Sequence, residues 1–207
     1  MRDAAARAAG CAEPVGLSDA PVVPAGASSL LPFPESCMTT TISMYSASIP
    51  AFLRALRNLR RVLELGEAHA IERGFDPVVL LQARLAPDMR PLLSQVQMAS
   101  DTAKNGAARL AGVEAPVFPD DETDFAGLYA RLDRAIAYLG TFTPAQIDGS
   151  ETRPVVLKTP RGEHPFEGLG YLTGFALPNL YFHVTTAYAV LRHNGVALGK
   201  LDYLGRS

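Results

Sequence analysis

The sequence predicts an all-α fold, a bundle of four helices behind an unstructured N-terminal tail, and three observations predict it. Apolar residues recur at intervals of three and four over four long stretches, and glycine or proline punctuates the ends of those stretches. The composition also supports a buried core, since 48% of the 207 residues are hydrophobic and 19% charged, which suits one globular domain.

Residues 1–40 are rich in Ala, Pro, Ser and Gly and hold no sustained period of 2 or 3.6. Such a segment cannot bury enough apolar surface to offset its conformational entropy, so a disordered tail is expected, with the folded domain over 41–207. Met38 opens MTTTISMYSASIP, which has the look of an ordinary protein start. A genuine tail and a mis-assigned start codon predict the same pattern.

The first helix is expected to begin near Ser48 as N-cap, with Pro50 harmless in its first turn. Ile49, Phe52, Leu56, Leu59 and Leu63 form its apolar stripe, and Gly74 ends it. A short helical or turn-like piece over 78–85 is closed by Pro87. The second helix starts near Pro91 and runs to Gly112, a suitable C′ glycine. Its inward stripe, Leu93, Val96 or Gln97, Ser100, Ala103, Ala107 and Leu110, is small and polar in the middle. Residues 113–124 are a linker, with Thr123 or Asp124 capping a third helix that carries Phe125, Leu128, Leu132, Ile136 and Leu139 and ends at Gly140.

The helical rhythm then breaks. RPVVLKTPRGEHPFEG places two β-prone pieces around a Pro-Arg-Gly turn, which predicts a hairpin over about 155–166. An isolated hairpin is marginal in water, so it must lean on the helices. The last helix is expected from Gly168 to Arg192, kinked or divided at Pro178, and stopped by Asn194 and Gly195 in left-handed conformations.

Several function classes are excluded. The formal net charge is −2, and the densest basic run, Arg54, Arg57, Arg60 and Arg61, has the spacing of a solvated helix face, so no nucleic-acid partner is expected. Cys11 and Cys37 both lie in the tail, which leaves a thiol-free domain suited to a reducing cytoplasm. No apolar run approaches the ~20 residues of a membrane span, and the N-terminus lacks the uninterrupted apolar stretch of an export signal. Neither a phosphate-binding glycine loop nor a Ser-His-Asp arrangement is present. His69, His164 and His193 have the settings of a helix end, an exposed hairpin and a helix cap.

Two places put polar residues where a helix should be apolar. Gln97 and Asp101 are four apart on the second helix, with Gln95 and Lys104 nearby. Asn179, His183 and Thr186 follow one face of the last helix at four and then three. Residues at i and i+4 share a helix surface, so the two sets can converge within the bundle. A ligand pocket and a structural polar layer that fixes helix register would both leave this signature.

The same segments carry a family resemblance. QVQMASDTAKNGAARLAG and FALPNLYFHVTTAYAVLRHNGVALGK, with SMY…P near the start and ARLAPDM before the second helix, resemble DUF1993, a bacterial domain-of-unknown-function family in the DinB/YfiT-like helical-bundle superfamily. The likeness extends over residues 42–205 and implies a DinB-like up-down-down-up bundle, without implying a particular reaction. The wider superfamily is similar to metal-dependent thiol transferases and isomerases that hold a divalent metal with three histidines. Carried over by position, His183 matches the final ligand, Asn179 stands where the preceding histidine belongs, and Gln97 falls near the histidine of the second helix. Amide oxygens hold transition metals far more weakly than imidazole.

The reading that follows is a small ligand bound by Gln97, Asp101, Asn179, His183 and Thr186, with no metal and no cofactor expected. Two alternatives stand beside it. One is a divalent-metal-dependent transferase or isomerase using His183, with Asp101 as its catalytic companion; the other is a non-catalytic, homodimeric interaction module.

Overall fold

The computed structural model describes residues 41–159 and 162–205. The expectation of a disordered tail over 1–40 therefore lies outside the described residues. Four long helices dominate: α1 (Met44–Arg73), α3 (Leu92–Ala111), α4 (Phe125–Leu139) and α7 (Leu177–His193). Short helices α2 (Val78–Gln82), α5 (Pro144–Ile147), α6 (Gly168–Tyr171) and α8 (Lys200–Leu204) fill the connections, and strands β1 (Pro154–Thr159) and β2 (Gly162–Glu167) pair antiparallel before α6.

Helix α1 starts five residues earlier than Ser48 would have it. Ser43 is the N-cap, its hydroxyl accepting from the Ser46 N–H while the Ser46 hydroxyl accepts from the Ser43 N–H, a reciprocal box that satisfies two orphan donors. Ser48 is instead buried and donates back to the Met44 carbonyl at 2.6 Å. Pro50 consequently lies inside the helix, on its exposed side. The other ends follow chemistry visible in the sequence. Gly74 and Gly112 close α1 and α3 at φ 75 and 70, and Asp124 caps α4 by accepting from the Gly127 N–H at 2.8 Å.

The helix directions follow from the side-chain pairs between them. Arg60 pairs with Asp133 and Glu67 accepts from Tyr129, so α1 and α4 run antiparallel. Gln95 meets His183 and Thr102 meets Asn179, so α3 and α7 are also antiparallel. Helices α1 and α7 run parallel, with Ala55 near Val184 at one level and Gly66 against Leu191 at another. Up-down-down-up is the result. A Cβ on Gly66 would lie 2.8 Å from a terminal methyl of Leu191, so a larger residue there would require that side chain to shift. The core between the helices is continuous, from Phe52, Leu56 and Leu63 through Val96 and Leu110 to Leu128, Leu132, Leu180 and Leu191.

The hairpin leans on the bundle as its marginal stability requires. Val155 is buried, and Phe166 packs edge-on to Tyr171 and against Phe175, with ring centroids 5.9 and 6.2 Å away. The last helix differs from a simple kink at Pro178. Residues Leu172–Ala176 form a π-helical stretch that joins α6 to α7 in one unbroken run of helical backbone, and Pro178 follows directly after it. At the far end Gly195 is left-handed with φ 89, whereas Asn194, at φ −84, is not.

Candidate functional site

Helix α3 turns its polar residues to two sides. Successive residues are about 100° apart around a helix. Gln95, Met98, Thr102, Asn105 and Arg109, spaced three, four, three and four, therefore share the side that faces α7. Gln97, Ser100 and Lys104 face α4 and the 113–124 linker, and Asp101 stands on the border between the two.

The α4 side is a charge network built on Arg131, whose side chain is fully buried with Glu122, while Asp120 at its rim is exposed. Its guanidinium is within 3.0 Å of Asp101, Asp120 and Glu122 carboxylate oxygens. It also donates to Ser100 Oγ at 2.7 Å and to the Pro119 carbonyl at 3.0 Å. Gln97 Nε2 donates to Glu122 Oε2 at 2.9 Å, and Lys104 pairs with Asp101 and donates to the Pro116 carbonyl. Burial pushes the Glu122 carboxyl upward, but the hydrogen bonds from Gln97 and Arg131 and the charge of Arg131 outweigh it and hold Glu122 below the usual carboxylate range. Together these contacts tie the linker, α3 and α4 to one another. The network is a structural fastening.

The α7 side is open. Thr102, Asn105, Arg109, Asn179 and His183 line a cleft of about 340 Å³, with Asp101 at its edge. Tyr171 and Phe175, from α6 and the π-helical stretch, and Leu157 from the hairpin supply apolar surface. Asn179 Nδ2 donates to Thr102 Oγ1 at 2.8 Å. Arg109 Nη1 donates to the Tyr171 hydroxyl at 2.9 Å.

His183 is held in a defined protonation state. Its Nδ1 lies 2.9 Å from Gln95 Oε1. The Gln95 amide is oriented by its own Nε2, which donates to the Arg90 carbonyl at 3.0 Å, so Oε1 can only accept. Nδ1 therefore carries the hydrogen and Nε2 the lone pair. Burial pushes the imidazole below its ordinary pKa, which favours this neutral form.

The residues singled out in the sequence thus separate. Asp101, Asn179 and His183 meet at the cleft. Gln97 does not, because it points across α3 to Glu122. Thr186 does not either; its hydroxyl bonds back to the Phe182 carbonyl of its own helix at 2.7 Å. Arg131, Glu122, Thr102, Asn105, Arg109 and Tyr171 went unnoticed in the sequence, although the 95-98-102-105-109 spacing on α3 was there to be read.

A three-ligand metal centre does not fit this arrangement. Asp101, the carboxylate nearest His183 in the cleft lining, is already paired with Arg131 and Lys104, and Asn179 offers only an amide. Among the described residues no group of three or more His, Cys, Asp and Glu side chains is placed to hold a metal ion. No helix among them is long and apolar enough to cross a membrane.

A second cavity, of about 410 Å³, lies between α1, α7 and α8. Its walls are mainly apolar, and its Asn58 amide is occupied by the Tyr203 carbonyl, so it brings together fewer groups able to do chemistry.

Comparison with known proteins gives a consistent picture. The model of the family described as "Domain of unknown function (DUF1993)" matches residues 44–204. Solved structures similar to the chain include a DinB family member protein from Shewanella denitrificans, with 41% sequence identity and a TM-score of 0.73 over 79% of this chain and 92% of that one. No curated protein matches.

Proposed function

The chain belongs to the DUF1993 family, with a DinB-like fold, and on that footing we propose that it binds a small polar organic molecule in the cleft between α3 and α7. Asp101, Asn179 and His183 belong to this site; Gln97 and Thr186 do not. The observation that carries the reading is the convergence of Thr102, Asn105, Arg109, Asn179 and His183, from two antiparallel helices, on one cleft of about 340 Å³ that also has aromatic walls. A few fixed polar groups against apolar surface is the usual composition of a small-molecule site. A register-fixing polar layer would be buried, as the Arg131–Glu122 pair is, whereas this side of α3 opens to solvent.

Within the cleft the neutral His183 offers a lone pair at Nε2 to accept a proton or a hydrogen bond, and the Gln95–Arg90 chain holds the ring in orientation. Asn179 offers its carbonyl oxygen, since its NH₂ is engaged by Thr102. Asp101 supplies little free charge, being neutralised by two cations.

The test is protein-observed NMR with a library of small polar fragments, on the chain and on Asn105→Trp, whose indole would occupy space in the cleft. Shifts centred on Thr102, Asn105, Asn179 and His183 that vanish in the variant support the site. Shifts centred on the α1–α7–α8 cavity, or unchanged in the variant, refute it.

A further inference from the structure

Arg109 differs from the other buried or half-buried lysines and arginines of the four long helices; Arg153, also half-buried, lies outside them and donates to the Leu110 carbonyl. Arg131, Lys104 and Arg60 each pair with carboxylates. Arg109 has no carboxylate partner among the described residues, although it is half-buried and lines the cleft. Its side-chain hydrogen bond goes to the neutral hydroxyl of Tyr171, a residue fully buried beneath it. A guanidinium taken partly out of water without an anion is costly to leave unmatched, and its five donors form a fork suited to a carboxylate.

The charges around it leave that end of the cleft positive. Asp101 is eight residues away on α3, about 12 Å along the helix axis, and its charge is spent on Arg131 and Lys104. His183 is neutral, and Thr102, Asn105 and Asn179 carry no charge. Phe175, stacked on the buried Tyr171 ring, and Leu157 present apolar surface beside Arg109.

We infer that the ligand of the α3–α7 cleft is a small organic carboxylate with an apolar body, its carboxylate held by Arg109 and its body against Phe175 and Leu157. This rests on the cleft being the binding site, and it adds what class of molecule the site selects. The distal polar groups, Asn179 and His183, then meet a second hydrogen-bonding function of the same molecule. Asn105 and Thr102 lie between the two ends on the same face of α3.

The experiment compares three matched fragment series by NMR titration at neutral to mildly basic pH: aryl and alkyl carboxylates, their carboxamides, and the corresponding phosphate monoesters. The carboxylates should bind about tenfold or more tightly than the carboxamides, since a charge-assisted hydrogen bond is lost in the amide. The esters should not exceed the carboxylates, because one guanidinium balances one charge. In Arg109→Gln the carboxylate preference should collapse, whereas Arg109→Lys should keep part of it and Tyr171→Phe should keep most of it. If Arg109→Gln fails to fold, the wild-type comparison and the Lys variant still decide. Equal binding of carboxylates and carboxamides in the cleft, a preference that survives Arg109→Gln, or tighter binding of the esters overturns the inference while leaving the cleft as a site. Absence of any cleft shift from all three series at millimolar concentration overturns both.

Discussion

The imidazole of His183 and the carboxamide of Gln95, on antiparallel helices, meet at 2.9 Å, and the bond runs from Nδ1–H to Oε1. One contact therefore fixes the ring's orientation, its tautomer and the location of its lone pair. It also defines which side of α3 faces α7.

A pH titration follows from it. Burial lowers the His183 pKa in the folded chain, while the unfolded chain has the ordinary value of 6.5. Between the two values the unfolded state binds the extra proton, so this group's contribution to stability is present above about pH 6.5 and is lost as the pH falls through the folded value. Histidine NMR should show His183 titrating below its ordinary value of 6.5. A His183 midpoint at or above 6.5 would contradict the buried neutral form.

Glu122 gives a second pH signature at lower pH. Its carboxyl is held below the usual carboxylate range, so its stabilising effect is present above the ordinary carboxylate pKa and is lost as the pH falls through the depressed one. Glu122→Gln should lower stability at neutral pH by about 1–3 kcal/mol. It should also flatten the acid limb of the stability profile. An unchanged acid limb would show that Glu122 is not held in this network.

Metal binding should be weak. One imidazole, one amide and a carboxylate already paired with two cations make a poor set for zinc or nickel. Elemental analysis after dialysis against a mild chelator should find well under one equivalent of transition metal. A stoichiometric metal lost in His183→Ala would contradict this and make His183 a metal ligand.

Much of the fold was legible because its signals are local. Gly74, Gly112 and Asp124 act on the turn in which they sit, and the β-prone pieces about residues 155–166 announce the hairpin with no distant partner. Ser48 misled because Ser and nearby Pro mimic a helix start, while the real cap depends on the reciprocal pair Ser43 and Ser46. Short α5 and α8 carry too few residues to show a period. The site was half legible for a geometric reason. An i, i+4 pair such as Gln97 and Asp101 shares a face, but the sequence does not say which neighbour that face meets. Here it meets Arg131, whose burial is visible only once α4 and the linker are in place. Stepping two residues back, to Gln95, turns about 200° around α3 and reaches His183 instead.

The central claim is that α3 holds a buried structural network on one side and an open cleft on the other. Unfolding free energies of Arg131→Met and His183→Ala, measured side by side with denaturant at neutral pH, test it most directly. Arg131→Met leaves Asp101, Asp120 and Glu122 without their shared cation and should cost about 3–5 kcal/mol. His183→Ala opens space continuous with the cleft, where water can reach Gln95, and should cost about 1 kcal/mol or less. A His183→Ala loss as large as that of Arg131→Met would make the α7 side a buried layer too, and would contradict the account.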